Sequence, residues 1–181
     1  MRLFRSWVGL FFVTVATAKA LAAPSLSLTA NTLSAGLPLL GYYASYSLDD
    51  AEGAKQQALT LGATVLSTLT LKKITHIQRP DGSDHQSFPS AHTSVAFAAA
   101  AFLDQRYRLS GSTTASLYSL AALSGMSRVN ANKHRWGDVL GGAALGMLTA
   151  SHFTTPSNVT WSLSMNQGQP ELNLKFKLAM W

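Results

Sequence analysis

Residues 127–138 read Ser-Arg-Val-Asn-Ala-Asn-Lys-His-Arg-Trp-Gly-Asp and put an arginine, a histidine and an aspartate close together. His134 and Asp138 are four apart, so on a helix or helical turn they share one face. A carboxylate beside an imidazole fixes its tautomer and raises its basicity, which is one way a histidine becomes a nucleophile. Arg128 is a permanent cation whose planar fork of donors matches phosphate oxygens. Taken alone, the same residues would also suit a basic helix end with one ion pair.

Two upstream stretches carry matching chemistry. The first is Lys72-Lys-Ile-Thr-His-Ile-Gln-Arg79-Pro80; the second is Phe88-Pro89-Ser90-Ala91-His92-Thr93. The order is Lys, six residues, Arg-Pro; then Pro-Ser-Ala-His; then Ser-Arg, five residues, His, three residues, Asp. This resembles the three-part signature of the type-2 phosphatidic acid phosphatase and vanadium haloperoxidase superfamily. The resemblance covers residues 72–145, a catalytic core without the two ends.

The resemblance implies a role for each position. Lys72, Arg79 and Arg128, with Ser90 and the amides around Ala91, would hold the phosphoryl group. Such a transfer asks mainly for positioning and for cations against its equatorial oxygens, and the start of a helix offers free N–H groups to an anion. His134 would attack phosphorus, with Asp138 orienting its other nitrogen. His92 would protonate the leaving oxygen and then take a proton from water. No cofactor is implied. One position departs from the pattern: Ala91 stands where the family usually has glycine. In a first helical turn alanine adds only a methyl group beside the phosphate, so fine substrate fit is affected and the mechanism is not.

The implied activity is a metal-independent phosphatase acting on a phosphomonoester or diphosphate, above all of a lipid such as undecaprenyl diphosphate, phosphatidylglycerol phosphate, phosphatidic acid or a lipid A phosphate. The alternatives are a soluble periplasmic acid phosphatase of broad specificity, a vanadium-dependent haloperoxidase, whose chains are generally much longer, and a binding protein that keeps the pocket without catalysis. Inhibition by vanadate is expected for the phosphatase readings.

Composition narrows the setting. The 181 residues suffice for one domain. Charged residues make up 12% of the chain, about half the usual share, which suits a small surface or one partly against lipid. The net charge of +6 falls to +3 without Arg2, Arg5 and Lys19, which precede every acid. That mild excess suits an anionic substrate or an anionic membrane face. No basic run with interleaved aromatics is present, which argues against nucleic acid. The absence of cysteine excludes thiol nucleophiles, disulfides and cysteine metal sites.

The elements that must position these residues follow in order. Residues 1–22 read as a signal peptide, with Arg2 and Arg5, an apolar run over 7–18 and Ala20-Leu21-Ala22 as the cleavage site. The run is short for a membrane span, though an uncleaved anchor is the alternative; either exports the remainder, in a bacterium to the periplasm. A helical phosphatase domain is expected over 23–154. Residues 24–31 read as a flexible start. Helices are expected over 32–48, opening near Pro38, and over 54–74, with Leu59, Leu61, Val65, Leu66, Leu69 and Leu71 as an apolar face. Further helices are expected over 90–106, 112–128 and 137–154, the last with Gly141, Gly142 and Gly146 for close backbone approach. These make an all-α antiparallel bundle. Pro80, Gly82 and Pro89 make 79–89 a loop. Its Asp84 and His85 rim the entrance, and a metal reading for Asp81, Asp84 and His85 is set aside because the signature needs none. The uncharged runs and a mean hydropathy of +0.13 favour a bundle lying against a membrane over an integral one. Residues 155–181 alternate apolar and polar about Gln167-Gly-Gln-Pro170 and predict an appended β-hairpin.

Overall fold

The computed structural model of the chain describes residues 26–157, 159–166 and 169–176. The expected signal peptide over 1–22 lies outside the described residues. Among the described residues there are five helices: α1 (Leu26–Ser47), α2 (Ala51–Thr75), α3 (Ala91–Tyr107), α4 (Gly111–Asn130) and α5 (Trp136–Phe153). Beyond them the backbone of Val159–Asn166 (β1) pairs antiparallel with Gln169–Phe176 (β2), Val159 opposite Phe176 and Asn166 opposite Gln169.

α3 is the hub and packs against the other four helices. Its sequence explains why. Ala96 and Ala98–Ala101 are fully buried, and side chains that small let four neighbours approach one axis. Phe102, Leu103 and Tyr107 on α3 meet Leu37 of α1 and Leu117 and Ala121 of α4 to close the core. Contacts along α3 fix the directions. Asn31 meets His92 and Ser45 meets Tyr107, so α1 runs parallel to α3. Thr68 meets Ser94 and Asp50 meets Arg106, so α2 runs antiparallel. α5 is parallel to α3, and their approach is set by glycine. A Cβ on Gly142 would stand 2.7 Å from the Ser90 carbonyl oxygen, and one on Gly146 would stand 2.3 Å from that of Ser94.

Two expectations are corrected. Of the expected flexible start over 24–31, residues 26–31 are helical instead, because α1 starts at Leu26 and carries straight through Pro38; residues 24 and 25 lie outside the described residues. Proline removes the N–H that would bond the Ser34 carbonyl; separately, the Pro38 carbonyl accepts a 2.7 Å bond from Gln57 Nε2 and so ties α1 to α2. The second correction concerns α2. Leu59, Val65, Leu66 and Leu69 face outward, and the buried stripe is Gln56, Gln57, Thr60, Thr64, Thr68 and Lys72. Hydrogen bonds hold that stripe: Thr64 to Thr149 of α5 (2.6 Å) and Thr68 to Ser94 of α3 (2.9 Å). Buried hydroxyls are usually partnered; Thr64 and Thr68 find hydroxyl partners across helices, while the Thr60 hydroxyl is buried without one.

The end of the bundle opposite the signature is fastened by one buried ion pair. Asp50 caps α2 through the Gly53 amide at 3.0 Å and takes two bonds from Arg106 (2.8 and 2.5 Å), whose third nitrogen reaches the Thr155 carbonyl. Among the described residues no helix is long and apolar enough to cross a membrane.

Candidate active site

The signature residues come from five segments and collect at one end of the bundle. Lys72 lies in the last turn of α2, Arg79 in the following loop, Ser90 to His92 at the start of α3, Arg128 in the last turn of α4, and His134 and Asp138 around the start of α5. The alternation of helix directions causes this. The C-terminal turns of α2 and α4 bring cations to the end where the N-terminal turns of α3 and α5 present amides. At α3 the first-turn amides of Ala91, His92 and Thr93 have no carbonyl upstream within the helix.

Lys72, Arg128, His134 and Asp138 are all more than nine-tenths buried. Burial and the neighbouring Arg79 push the Lys72 ammonium down to about 8. Its Nζ donates to the carbonyls of Gln86 and Ser87, tying the loop to α2. Arg128 Nε is buried with no hydrogen-bond partner, and burial, with Arg79 nearby, holds its pKa below the usual guanidinium range. A buried guanidinium donor without an acceptor is costly, and an anion would remove that cost.

Both imidazoles lie in the field of the same cations. His92 is pushed down to about 4 by burial and then by Arg128, Arg79 and Lys72. His134 is pushed down to about 4 by burial, Arg79 and Lys72; Asp138 pulls the other way without winning. Both rings are therefore neutral near pH 7. Arg79 Nη1 approaches His134 Nε2 at 3.4 Å, which makes Nε2 the nitrogen with the lone pair.

Asp138 is not hydrogen-bonded to that ring. Its Oδ2 is 3.6 Å from His134 Nδ1, beyond hydrogen-bond reach, and Nδ1 has no partner. The same oxygen takes bonds from Ser87 Oγ (2.5 Å) and the Arg135 amide (2.8 Å), while the Asp138 carbonyl accepts from the Ser90 amide at 2.9 Å. Asp138 thus clamps the loop, the turn before α5 and the start of α3 into one unit, with the imidazole in reach of a small side-chain rotation. Ser90 belongs to the clamp as well. It is fully buried, its amide is committed to Asp138, and its hydroxyl accepts from Thr93 at 3.0 Å. The phosphate role expected of Ser90 therefore rests on the turn it starts, Ala91 onward, more than on its own donors.

The loop acids are engaged with cations. Asp84 accepts from Arg79 Nε at 2.7 Å and Asp81 pairs with Lys133; His85 stacks on His76 with ring centres 5.2 Å apart. Sequence reasoning missed three partners: Ser87 for Asp138, Asp84 for Arg79, and Asn31, whose Oδ1 is 2.7 Å from His92 Nε2.

Residues 67–160 match the PAP2 superfamily. The chain belongs to that superfamily. Its curated relatives include a lipid A 1-phosphatase of Porphyromonas gingivalis, 42% identical over 71 residues, 39% of this chain and 16% of that protein. A lipid A 1-phosphatase of Helicobacter pylori (strain J99) is 32% identical over 119 residues, 61% of each chain. The chain spans less than two thirds of the length of these relatives. In three dimensions it resembles the crystal structure of Aquifex aeolicus LpxE, with a TM-score of 0.59 and 23% identity over 73% of this chain and 87% of that one. That likeness is one of fold.

Proposed function

We propose that this protein is a metal-independent phosphatase of a lipid phosphomonoester or diphosphate, working through a phosphohistidine. The observation that carries the reading is the convergence of Lys72, Arg79 and Arg128 on two neutral imidazoles, with the Arg128 Nε buried and unpartnered. Three cations supply the charge that the transferring group needs. A phosphate entering the cage takes the Arg79 donor away from His134 Nε2. That lone pair then attacks phosphorus while the P–O bond breaks and its electron pair leaves on the lipid oxygen. The bound dianion also offsets the cations that depress His92, so His92 takes up a proton in the complex and delivers it to the departing oxygen. In the second step His92 receives a proton from water as the phosphohistidine is hydrolysed. Asp138 is in place to swing onto His134 Nδ1 when that ring becomes cationic.

A lipid substrate is supported by the relatives named above, both of them lipid A 1-phosphatases. It is also supported by apolar side chains left outside the bundle: Leu66 and Leu69 on α2, Leu140 and Leu148 on α5, Leu39 and Tyr46 on α1. These suit contact with a lipid surface. The same reading includes export through residues 1–22, a phosphatase domain over 23–154 and the strand pair as an appended extension. The test is phosphate release from a panel of micellar lipid phosphates and water-soluble esters, with EDTA present. Release that vanadate inhibits and that His134→Ala and His92→Ala each abolish is expected. Unchanged release by His134→Ala would overturn the reading; preference for soluble esters would overturn its lipid part.

A further inference from the structure

In the proposed mechanism His92 must hold its proton on the nitrogen that faces the leaving oxygen. Nothing in the signature says which nitrogen that is. The structure supplies a constraint from outside the signature. Asn31, on the first turns of α1, places its amide oxygen 2.7 Å from His92 Nε2, and Nδ1 has no hydrogen bond to a described residue. One turn along α1, Ser34 lines a cavity of about 200 Å³ together with Ala91, His92 and Val95. α1 thus contributes both the partner of the ring and a wall of the space beside it.

We infer that Asn31 is the positioning residue of His92: it holds the Nε2 proton, makes Nδ1 the nitrogen that serves the leaving oxygen, and with Ser34 places the leaving group between α1 and α3. This rests on the phosphatase reading above. The amide oxygen accepts Nε2–H in both charge states of the ring. In the imidazolium, Nδ1–H is then the proton that is given up. As the P–O bond breaks, its electron pair goes to the leaving oxygen, which takes that proton. The neutral ring keeps Nε2–H on Asn31 and presents the Nδ1 lone pair to water for the second step. A carboxylate would hold the ring equally well but add charge, and an alanine would leave the tautomer unset.

The charges bearing on His92 are Arg128 of α4, Arg79 of the loop and Lys72 of α2. α1 faces it with the uncharged Asn31 and Ser34, Ala91 and Val95 flank it on α3, and α5 brings Asp138, which faces Ser87 and His134. A carboxylate at position 31 would therefore be the one acid against a ring surrounded by cations.

The experiment compares two micellar phosphate monoesters of one chain length, one with an alkyl and one with a nitrophenyl leaving oxygen. The nitrophenolate leaves without a proton, so only the alkyl ester needs His92 as an acid. Asn31→Ala is expected to lower kcat on the alkyl ester about 10- to 100-fold with KM little changed, and on the nitrophenyl ester by less than about threefold. His92→Ala should show the same contrast, more strongly. Asn31→Asp should keep most of the alkyl activity and move the pH at which kcat declines upward, because its charge favours the imidazolium. Equal losses on both esters, no loss on either, or an Asn31→Asp enzyme that behaves as Asn31→Ala would each overturn the assignment. Activity surviving in His134→Ala would instead bring down the phosphohistidine reading, so the two failures are separable.

Discussion

Replacing Gly146 by alanine tests whether the α3–α5 contact sets the distance between the two imidazoles. The added Cβ would stand 2.3 Å from the Ser94 carbonyl oxygen and 2.7 Å from the Ala98 amide nitrogen, where ordinary contact begins at 3.4 Å. Both obstacles are backbone, so no side chain can rotate away, and α5 must move outward by about 1 Å. Alanine in a helix gains about 1 kcal/mol over glycine in propensity. Overpacking of this kind typically costs about 1–3 kcal/mol, so the expected net effect is a loss of up to about 2 kcal/mol. Activity should suffer further, because His92 lies in the first turn of α3 and His134 lies just before α5. A misplacement of about 1 Å between reacting groups can cost about 100-fold. Gly62→Ala and Gly137→Ala are the controls, since a Cβ there meets nothing within 4 Å. Urea unfolding and lipid phosphate turnover on the three variants check the argument. A Gly146→Ala protein as stable and as active as the two controls would refute it.

Further outcomes follow from the charges. His92 and His134 fall from 6.5 to about 4 on folding, so the folded chain takes up these protons later than the unfolded one. Stability of the phosphate-free protein should therefore be full above about pH 6.5 and fall progressively toward pH 4. Added phosphate should restore part of it, and a flat profile in urea titrations would contradict the neutral buried rings. Lys72 loses its proton near 8, so inhibition by inorganic phosphate should weaken as pH rises through that value. Lys72→Arg should remove the dependence, and inhibition constants equal at pH 7 and 9 would count against Lys72 as a phosphate contact. Asp50→Ala strands a buried Arg106 and should cost about 3–5 kcal/mol; replacing both by leucine should cost less, which a double-mutant cycle in denaturant measures.

What could be read from the chain was its chemistry and its punctuation. The Lys72, Arg79, His92, Arg128 and His134 positions were picked out by their resemblance to the family signature, and the structure gathers them at one end of the bundle; Asp50, Ser90 and the run from Gly137 marked helix starts within three residues of the observed ones. The partners were not legible. Ser87 meets Asp138 across 51 positions and Asn31 meets His92 across 61, and single polar residues in a serine- and threonine-rich chain carry no local mark of such pairings. The orientation of α2 was misread for a physical reason as well. Apolar patterning assigns leucines to the core, but a central helix made of alanine leaves little room for them, and hydroxyl pairs of Thr64 and Thr68 take their place.

That last feature bears on where the fold can exist. An ordinary surface helix is oriented by water, which drives its apolar side inward. α2 is oriented by what it bonds to inside: Thr64, Thr68 and Gln57 each find a partner on a different helix. Those bonds do not depend on what lies outside the leucines. The same internal arrangement is therefore available in buffer, in a detergent micelle or at a bilayer, and exchanging the outward leucines for polar residues should alter where the protein partitions while leaving its interior register intact.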